Sequence, residues 1–157
     1  MKKPWNVINP PIYSLATYEG ERVNMNICTY VTAVSLKPKQ FAIAVYEKTK
    51  SLENLRTNNT AVLQLLHTSH INLINILGKK IGTTYDKNQY LRKYNHLEKW
   101  DNIDVLKNTC ALLFLKKRWL KITGDHTLFL FDIVASQTFN SDILTLQDLR
   151  DKKLVRI

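Results

Sequence analysis

Four consecutive residues, Lys48-Thr49-Lys50-Ser51, set two ammonium groups and two hydroxyls just ahead of Leu52 and Leu55, which stand three apart as on one face of a helix. A helix start has unpaired N–H groups and partial positive charge, so this combination suits a phosphate. Ser51 is the expected N-cap, with the helix ending near Asn58-Asn59. Upstream, Thr29-Tyr30-Val31-Thr32 belongs to a run over residues 23–36 that carries hydroxyls a purely apolar core strand does not need. A polar strand beside a phosphate cradle suits a nucleotide-like cofactor. The plainer alternatives are a solvated turn with a cap for residues 48–51, and ordinary strand propensity for residues 29–32.

Other chemistry-bearing residues are sparse. His67 and His70 lie three apart, but no neighbouring cysteine or carboxylate completes a metal set, so no metal site is expected. Cys28 and Cys110 lack CxxC spacing and are too few for a disulfide framework, so both are expected reduced and buried. Asp86-Lys87 reads as an ion pair within the chain or a contact between subunits. Trp100 and the tyrosines around it could stack on a ring or sit in an interface.

The elements that must hold these residues are mostly strands. Residues 13–18 form a first strand, Glu19-Gly20-Glu21-Arg22 turns the chain, and residues 23–36 return as one long strand. Lys37-Pro38-Lys39 marks the next turn. Residues 41–47 form a third strand, with both faces largely buried, and residues 61–66 a fourth. Ser69 can cap a short helix carrying Ile71, Ile74 and Leu77 and stopping at Gly78. Residues 79–108 lose any clean period and read as a helix-and-loop excursion. Residues 109–122 and 127–136 are two long apolar strands joined by Thr123-Gly124-Asp125-His126, and a short helical piece follows at residues 146–149. Strands joined by short turns, with helices only as connections, point to a mainly β fold, an antiparallel barrel closed or partly closed, with short helices over its ends.

At 157 residues, 45% apolar and 23% charged, the sequence fits one domain, which can bury roughly 70% of its unfolded surface. The start is basic and then interrupted by Pro4, Pro10 and Pro11, and no apolar run is long enough to span a bilayer. A cytoplasmic protein with no membrane partner is expected. The net charge of +10 raises nucleic-acid binding. Against it, the lysines and arginines are scattered in ones, twos and threes, so a small basic nucleic-acid-binding barrel is the weakest of the alternatives.

In order along the chain stand Ala16-Thr17, Gly20, Asn24, Thr29-Tyr30-Val31-Thr32-Ala33-Val34-Ser35, Pro38, Lys50-Ser51, Asn54-Leu55, Asp86-Lys87 and Gly124-Asp125-His126. This succession resembles the flavin reductase-like family, whose fold is an FMN-binding split β-barrel with Greek-key-like antiparallel strands. The resemblance covers residues 13–136. It implies that Thr29, Tyr30, Val31 and Thr32 line the flavin ring and that Lys48, Thr49, Lys50 and Ser51 hold the 5′-phosphate. It places Asn26 and Cys28, where the family carries small residues, at the ring's edge, and gives His126 a role in orienting nicotinamide or substrate. It further implies a homodimer, NAD(P)H as reductant, and a small-molecule or flavin acceptor. The alternative within the same family is a non-enzymatic FMN electron carrier that docks a partner protein through its positive charge.

Overall fold

The computed structural model describes residues 1–155. Nine strands and three α-helices follow one another as β1 (Tyr13–Glu19), β2 (Arg22–Met25), β3 (Val31–Leu36), β4 (Lys39–Tyr46), α1 (Lys50–Thr57), β5 (Thr60–Leu65), α2 (Lys87–Lys93), β6 (Leu97–Trp100), β7 (Ile103–Leu106), β8 (Ala111–Ile122), β9 (His126–Thr138) and α3 (Leu146–Asp151). Between β5 and α2 run a 3₁₀ segment, Thr68–Leu73, and a single π-helical turn, Asn75–Lys79. Seven strands form one antiparallel sheet in the order β2-β1-β5-β8-β9-β4-β3, and β6 and β7 form a separate hairpin.

The expected barrel is not closed: the ladder has two ends, at β2 and β3. The physical reason lies in the strand expected over residues 23–36, which is two strands. Its first part pairs with β1 and its second with β4, on opposite sides of the sheet, so residues 26–30 must leave the ladder to travel between them. They are tied at both ends. Tyr13 N–H donates to Cys28 O at 3.1 Å, Cys28 N–H returns a bond to Tyr13 O at 2.9 Å, and Ala44 N–H donates to Tyr30 O at 3.0 Å. A strand of mixed polarity has been traded for a partly buried, hydrogen-bonded connection strung from β1 to β4.

Alternation along the central strands buries both faces of the sheet. Leu15, Ala61, Leu63 and Leu115 join Ile43, Val45, Phe129 and Phe131 in one cluster, over which α1 lays Leu52 and Leu55. Ala16, Val62 and Leu112 point the other way into a second cluster with Met25, Leu77, Leu91, Leu106 and Leu149. Each fully buried leucine or phenylalanine contributes about 1.5–3 kcal/mol, which holds β1, β5 and β8 rigidly at the centre. The excursion over residues 79–108, read as helix and loop, also contains the β6–β7 hairpin. Its register, Leu97 opposite Leu106 and Trp100 opposite Ile103, turns through Asp101 and Asn102, both at positive φ. Gln64 braces it: its Oε1 accepts from the buried Leu106 N–H at 2.7 Å. Two caps differ from expectation. Thr49, not Ser51, caps α1, and His67, not Ser69, caps the 3₁₀ segment by accepting from Ser69 N–H. Among the described residues no helix is long and apolar enough to cross a membrane.

Candidate functional site

A cavity of about 520 Å³ opens between the connection 26–30, the end of β4, the start of α1 and the loop after the π-helical turn. Its lining includes Asn26, Cys28, Thr29, Tyr30, Lys48, Thr49, Lys50, Ser51 and His126, so nine of the eleven residues singled out from the sequence meet there. Val31 and Thr32 do not. They lie within β3, paired with Ile43 and Ala42, and the Thr32 hydroxyl turns to the neighbouring Ala33 carbonyl.

At one end the chain prepares an anion site. The Thr49 hydroxyl donates to Tyr46 O at 2.8 Å and accepts from Leu52 N–H at 3.3 Å, fixing the entry into α1. That bond consumes one of the helix's orphan donors and leaves the N–H groups of Lys50 and Ser51 outside the helix's own bonding. Ser51 is fully buried and its Oγ accepts from Asn24 Nδ2 at 3.1 Å. A parallel bond, Asn54 Nδ2 to Thr17 Oγ1 at 3.1 Å, clamps the same helix to β1. Lys50 Nζ sits 3.0 Å from Glu19 and 3.4 Å from Glu53, and the hydrogen bond to Glu19 holds its ammonium above the usual lysine range. Lys48 is exposed and has no ion pair among the described residues.

Gly82 explains how closely the following loop lies over this end. A β-carbon there would fall 2.1 Å from Asn24 Oδ1 and 2.9 Å from Lys50 Cβ, so only a bare Cα passes. At Gly78 in the π-helical turn an added β-carbon would fall 3.2 Å from Ile27 Cγ1, tight but less than the clash at Gly82.

The sequence reading missed Lys87. Asp86 pairs with Arg22 at 2.7 Å and caps α2 through Gln89 N–H, whereas Lys87 turns inward and is 4% exposed. Its Nζ donates to Met25 O at 2.9 Å and Leu77 O at 2.8 Å, and among the described residues no carboxylate meets it. An ammonium has three donors, so one is left for the cavity that Lys87 lines. Burial pushes its pKa down to about 8. The signal was present in the sequence: Lys87 precedes the buried Leu91 by four residues, one helical turn, so both share the inward face. Lys80 completes a set of four lysines in the lining, which among the described residues includes no aspartate or glutamate, although Glu19 and Glu53 pair with Lys50 from outside it. Such a cavity is built for an anion.

The other end is aromatic. His126 opens β9 opposite Tyr46, and its ring centre lies 5.5 Å from that of Tyr46 and 5.2 Å from that of Tyr30. Asp125 Oδ1 stands 2.6 Å from His126 Nδ1, and this hydrogen bond draws the aspartate's pKa below its usual range. Cys28 lines the cavity as a buried thiol whose pKa is pushed up to about 12 by desolvation, so it is a neutral wall and not a nucleophile. Trp100 is remote from all of this, donating its indole N–H to Gln137. His67 and His70 are occupied with capping, and His70 Nε2 meets Lys107 O at 2.7 Å.

The model of the flavin reductase like domain matches residues 7–152. The chain belongs to the flavin reductase-like family. No curated protein matches the sequence. Among solved structures, an FMN-binding protein from Thermus thermophilus, crystallised with 1-cyclohex-2-enone, is similar at a TM-score of 0.76 and 19% identity, over 88% of this chain and 75% of that one. The NADH:FAD oxidoreductase SgcE6 of Streptomyces globisporus C-1027, in complex with NAD and FAD fragments, superposes at 0.72 and 15% identity, over 84% and 76%. The styrene monooxygenase flavin reductase of Pseudomonas putida S12 does so at 0.70 and 18%, over 83% and 81%. At these identities the likeness speaks to the fold alone. What this flavin reductase-like chain adds on its own account is the placement of its lysines and of its aromatic mouth.

Proposed function

We propose that the protein is an FMN-binding, NAD(P)H-dependent oxidoreductase of the flavin reductase type, its open sheet serving as a split barrel around the flavin. The observation that carries this reading is the cavity's polarity: four lysines and a helix start line it with no carboxylate among its described lining residues, joined to an aromatic mouth, in a volume of about 520 Å³. A phosphorylated flat cofactor matches both ends, and the volume lies within the range of small-molecule sites. The donor set fits the 5′-phosphate, since Lys50 and Ser51 offer N–H groups, and Lys48 and Lys50 offer charge. Ile27, Val45, Leu77 and Ile81 supply apolar wall, while Asn26 is held in place by accepting from Leu15 N–H at 3.1 Å.

When bound, the flavin supplies a ring that accepts hydride and passes electrons to an acceptor. The chain's own work is to bind, orient and screen. Lys87 offers a cation and one free donor from a desolvated position, where electrostatic attraction is strongest. Asp125 holds the His126 ring at the mouth, which lets the imidazole position the second reactant without itself having to move a proton.

A homodimer belongs to the same reading. Val34, Leu36, Trp119, Leu120, Ile122 and Val134 are all exposed large apolar side chains on β3, β8 and β9, a concentration that marks an interaction surface. A second reading, an electron carrier for a partner protein, draws on the exposed Lys48 and Lys80 at the rim. The deciding experiment is to denature purified protein, identify the released chromophore, and then add NADH or NADPH to the native protein without oxygen. FMN release with bleaching supports the reductase, and FMN without bleaching supports the carrier. A colourless protein that FMN cannot reconstitute refutes both.

A further inference from the structure

Residues 1–8 line no part of the cavity, and they hold large apolar side chains out to solvent. Trp5 is 70% exposed, Val7 68% and Ile8 65%. The segment that carries them is tied to α3. Pro4–Asn6 forms a 3₁₀ turn, Arg150 Nη2 donates to Asn6 O at 2.9 Å, and Asn9 Oδ1 accepts from Gln147 N–H at 2.8 Å. Lys3 Nζ stands 5.7 Å from the centre of the Trp5 ring, so charge and indole share one side of the segment. Lys2 beside it, and Lys152 and Lys153 just past the end of α3, are exposed as well. Residues 1–10 contain no acid, and the two carboxylates of α3 are engaged on their own helix: Asp148 bonds to its cap Thr145, and Asp151 accepts from Gln147 Nε2 at 2.7 Å. Single exposed apolar residues are ordinary. Three within four positions, fixed to a helix and rimmed by lysines, mark an interaction surface.

We infer that residues 2–8, with Lys152 and Lys153, form a docking patch for an anionic lipid surface. The protein rests on that surface without spanning it, which departs from the expectation of no membrane partner: lying on a bilayer takes an apolar side and cations, not the length of a span. Indole rings favour the headgroup level, where an apolar body and a polar edge are both accommodated. Val7 and Ile8 supply aliphatic burial beside it. Each lysine held near anionic lipid strengthens binding about fivefold, and its stem adds apolar contact of its own. Charge of one sign around a short apolar segment suits a diffuse negative plane, whereas a protein partner calls for matched shape and paired charges.

The test separates apolar insertion from charge. The whole protein is sedimented with vesicles of phosphatidylcholine alone and with vesicles containing about one third phosphatidylserine, and the bound fraction is measured. Wild type should partition at least about tenfold more strongly onto the anionic vesicles, and added salt should weaken it. Trp5→Ala with Ile8→Ser should lower that partition at least about tenfold, since both apolar anchors are lost. Lys2→Glu with Lys3→Glu should lower it by a similar factor, on anionic vesicles only. Brominated lipid should quench indole emission in wild type and far less in Trp5→Phe, where Trp100 and Trp119 remain. Because the altered side chains are exposed, each variant should keep the wild-type thermal midpoint, so a loss of binding reads the patch and not the fold. Equal partition onto both vesicle types, or anionic binding that survives Trp5→Ala with Ile8→Ser, would overturn the patch. So would the absence of binding to either vesicle, which would assign this surface to a protein partner.

Discussion

Replacing Lys87 with methionine tests the least expected feature of the cavity, a lysine buried with only carbonyl partners. A folded-state pKa near 8 against 10.5 in the unfolded chain corresponds to about 3 kcal/mol lost by holding the charge inside. Below pH 8 the group is charged in both states and the cost is carried in full. Between about pH 8 and 10.5 the unfolded chain binds a proton that the folded chain does not, so stability rises with pH. Methionine removes the charge but orphans Met25 O and Leu77 O, each at about 1–3 kcal/mol. At pH 7 these effects offset one another, and the variant should lie within about 2 kcal/mol of wild type. By pH 9.5 wild type should have gained about 2 kcal/mol relative to the variant. Denaturant unfolding of both proteins at the two pH values reads this directly, since groups that titrate in common cancel in the difference. A stability difference that does not move with pH would refute the desolvated ammonium, and with it the cation offered to a bound anion.

The phosphate cradle predicts that Lys50→Ala with Ser51→Ala weakens FMN by at least about 2 kcal/mol, since charged hydrogen bonds each contribute about 1.5–3 kcal/mol. Riboflavin, which lacks the phosphate, should be nearly unaffected, and parallel losses in two fluorescence titrations would place the cradle elsewhere. Gly82→Ala must push the loop off Asn24 and Lys50, so both unfolding free energy and FMN affinity should drop, with a stability cost of about 1–3 kcal/mol. Thr49→Ala should cost about 1 kcal/mol in thermal or denaturant unfolding as the α1 cap is lost, whereas Ser51→Ala should not act through capping. Ile122→Arg with Trp119→Glu should give a monomer by size-exclusion chromatography if β8 faces a second copy, and an unchanged elution volume would move the interface away from this face.

Legibility varied with how local the physics was. The β1–β2 turn, the residue range of α1, the long β8–β9 hairpin and the paired leucines of α1 follow from period and turn chemistry within a few residues, and they could be read directly. The split of residues 23–36 could not. Its Thr, Val, Ile and Tyr content suits strand throughout, and only the competition between β1 and β4 for pairing decides that residues 26–30 leave the ladder. Val31 and Thr32 were drawn into the expected site for that reason, being chain neighbours of Tyr30 but partners of β4. The caps slipped similarly, because Thr49 and Ser51 are equally good in composition and the Tyr46 carbonyl chose between them.

The sequence by itself determined a mainly β chain with an anion-friendly helix start and a run of ordered motifs. These depend on residue type and short spacing. Tertiary structure alone decided that Lys87 turns inward, that Gly82 admits the loop above Asn24, and that Tyr30, Tyr46 and His126 meet. Those contacts join residues dozens of positions apart, and their geometry depends on packing and sheet register, which no local pattern encodes.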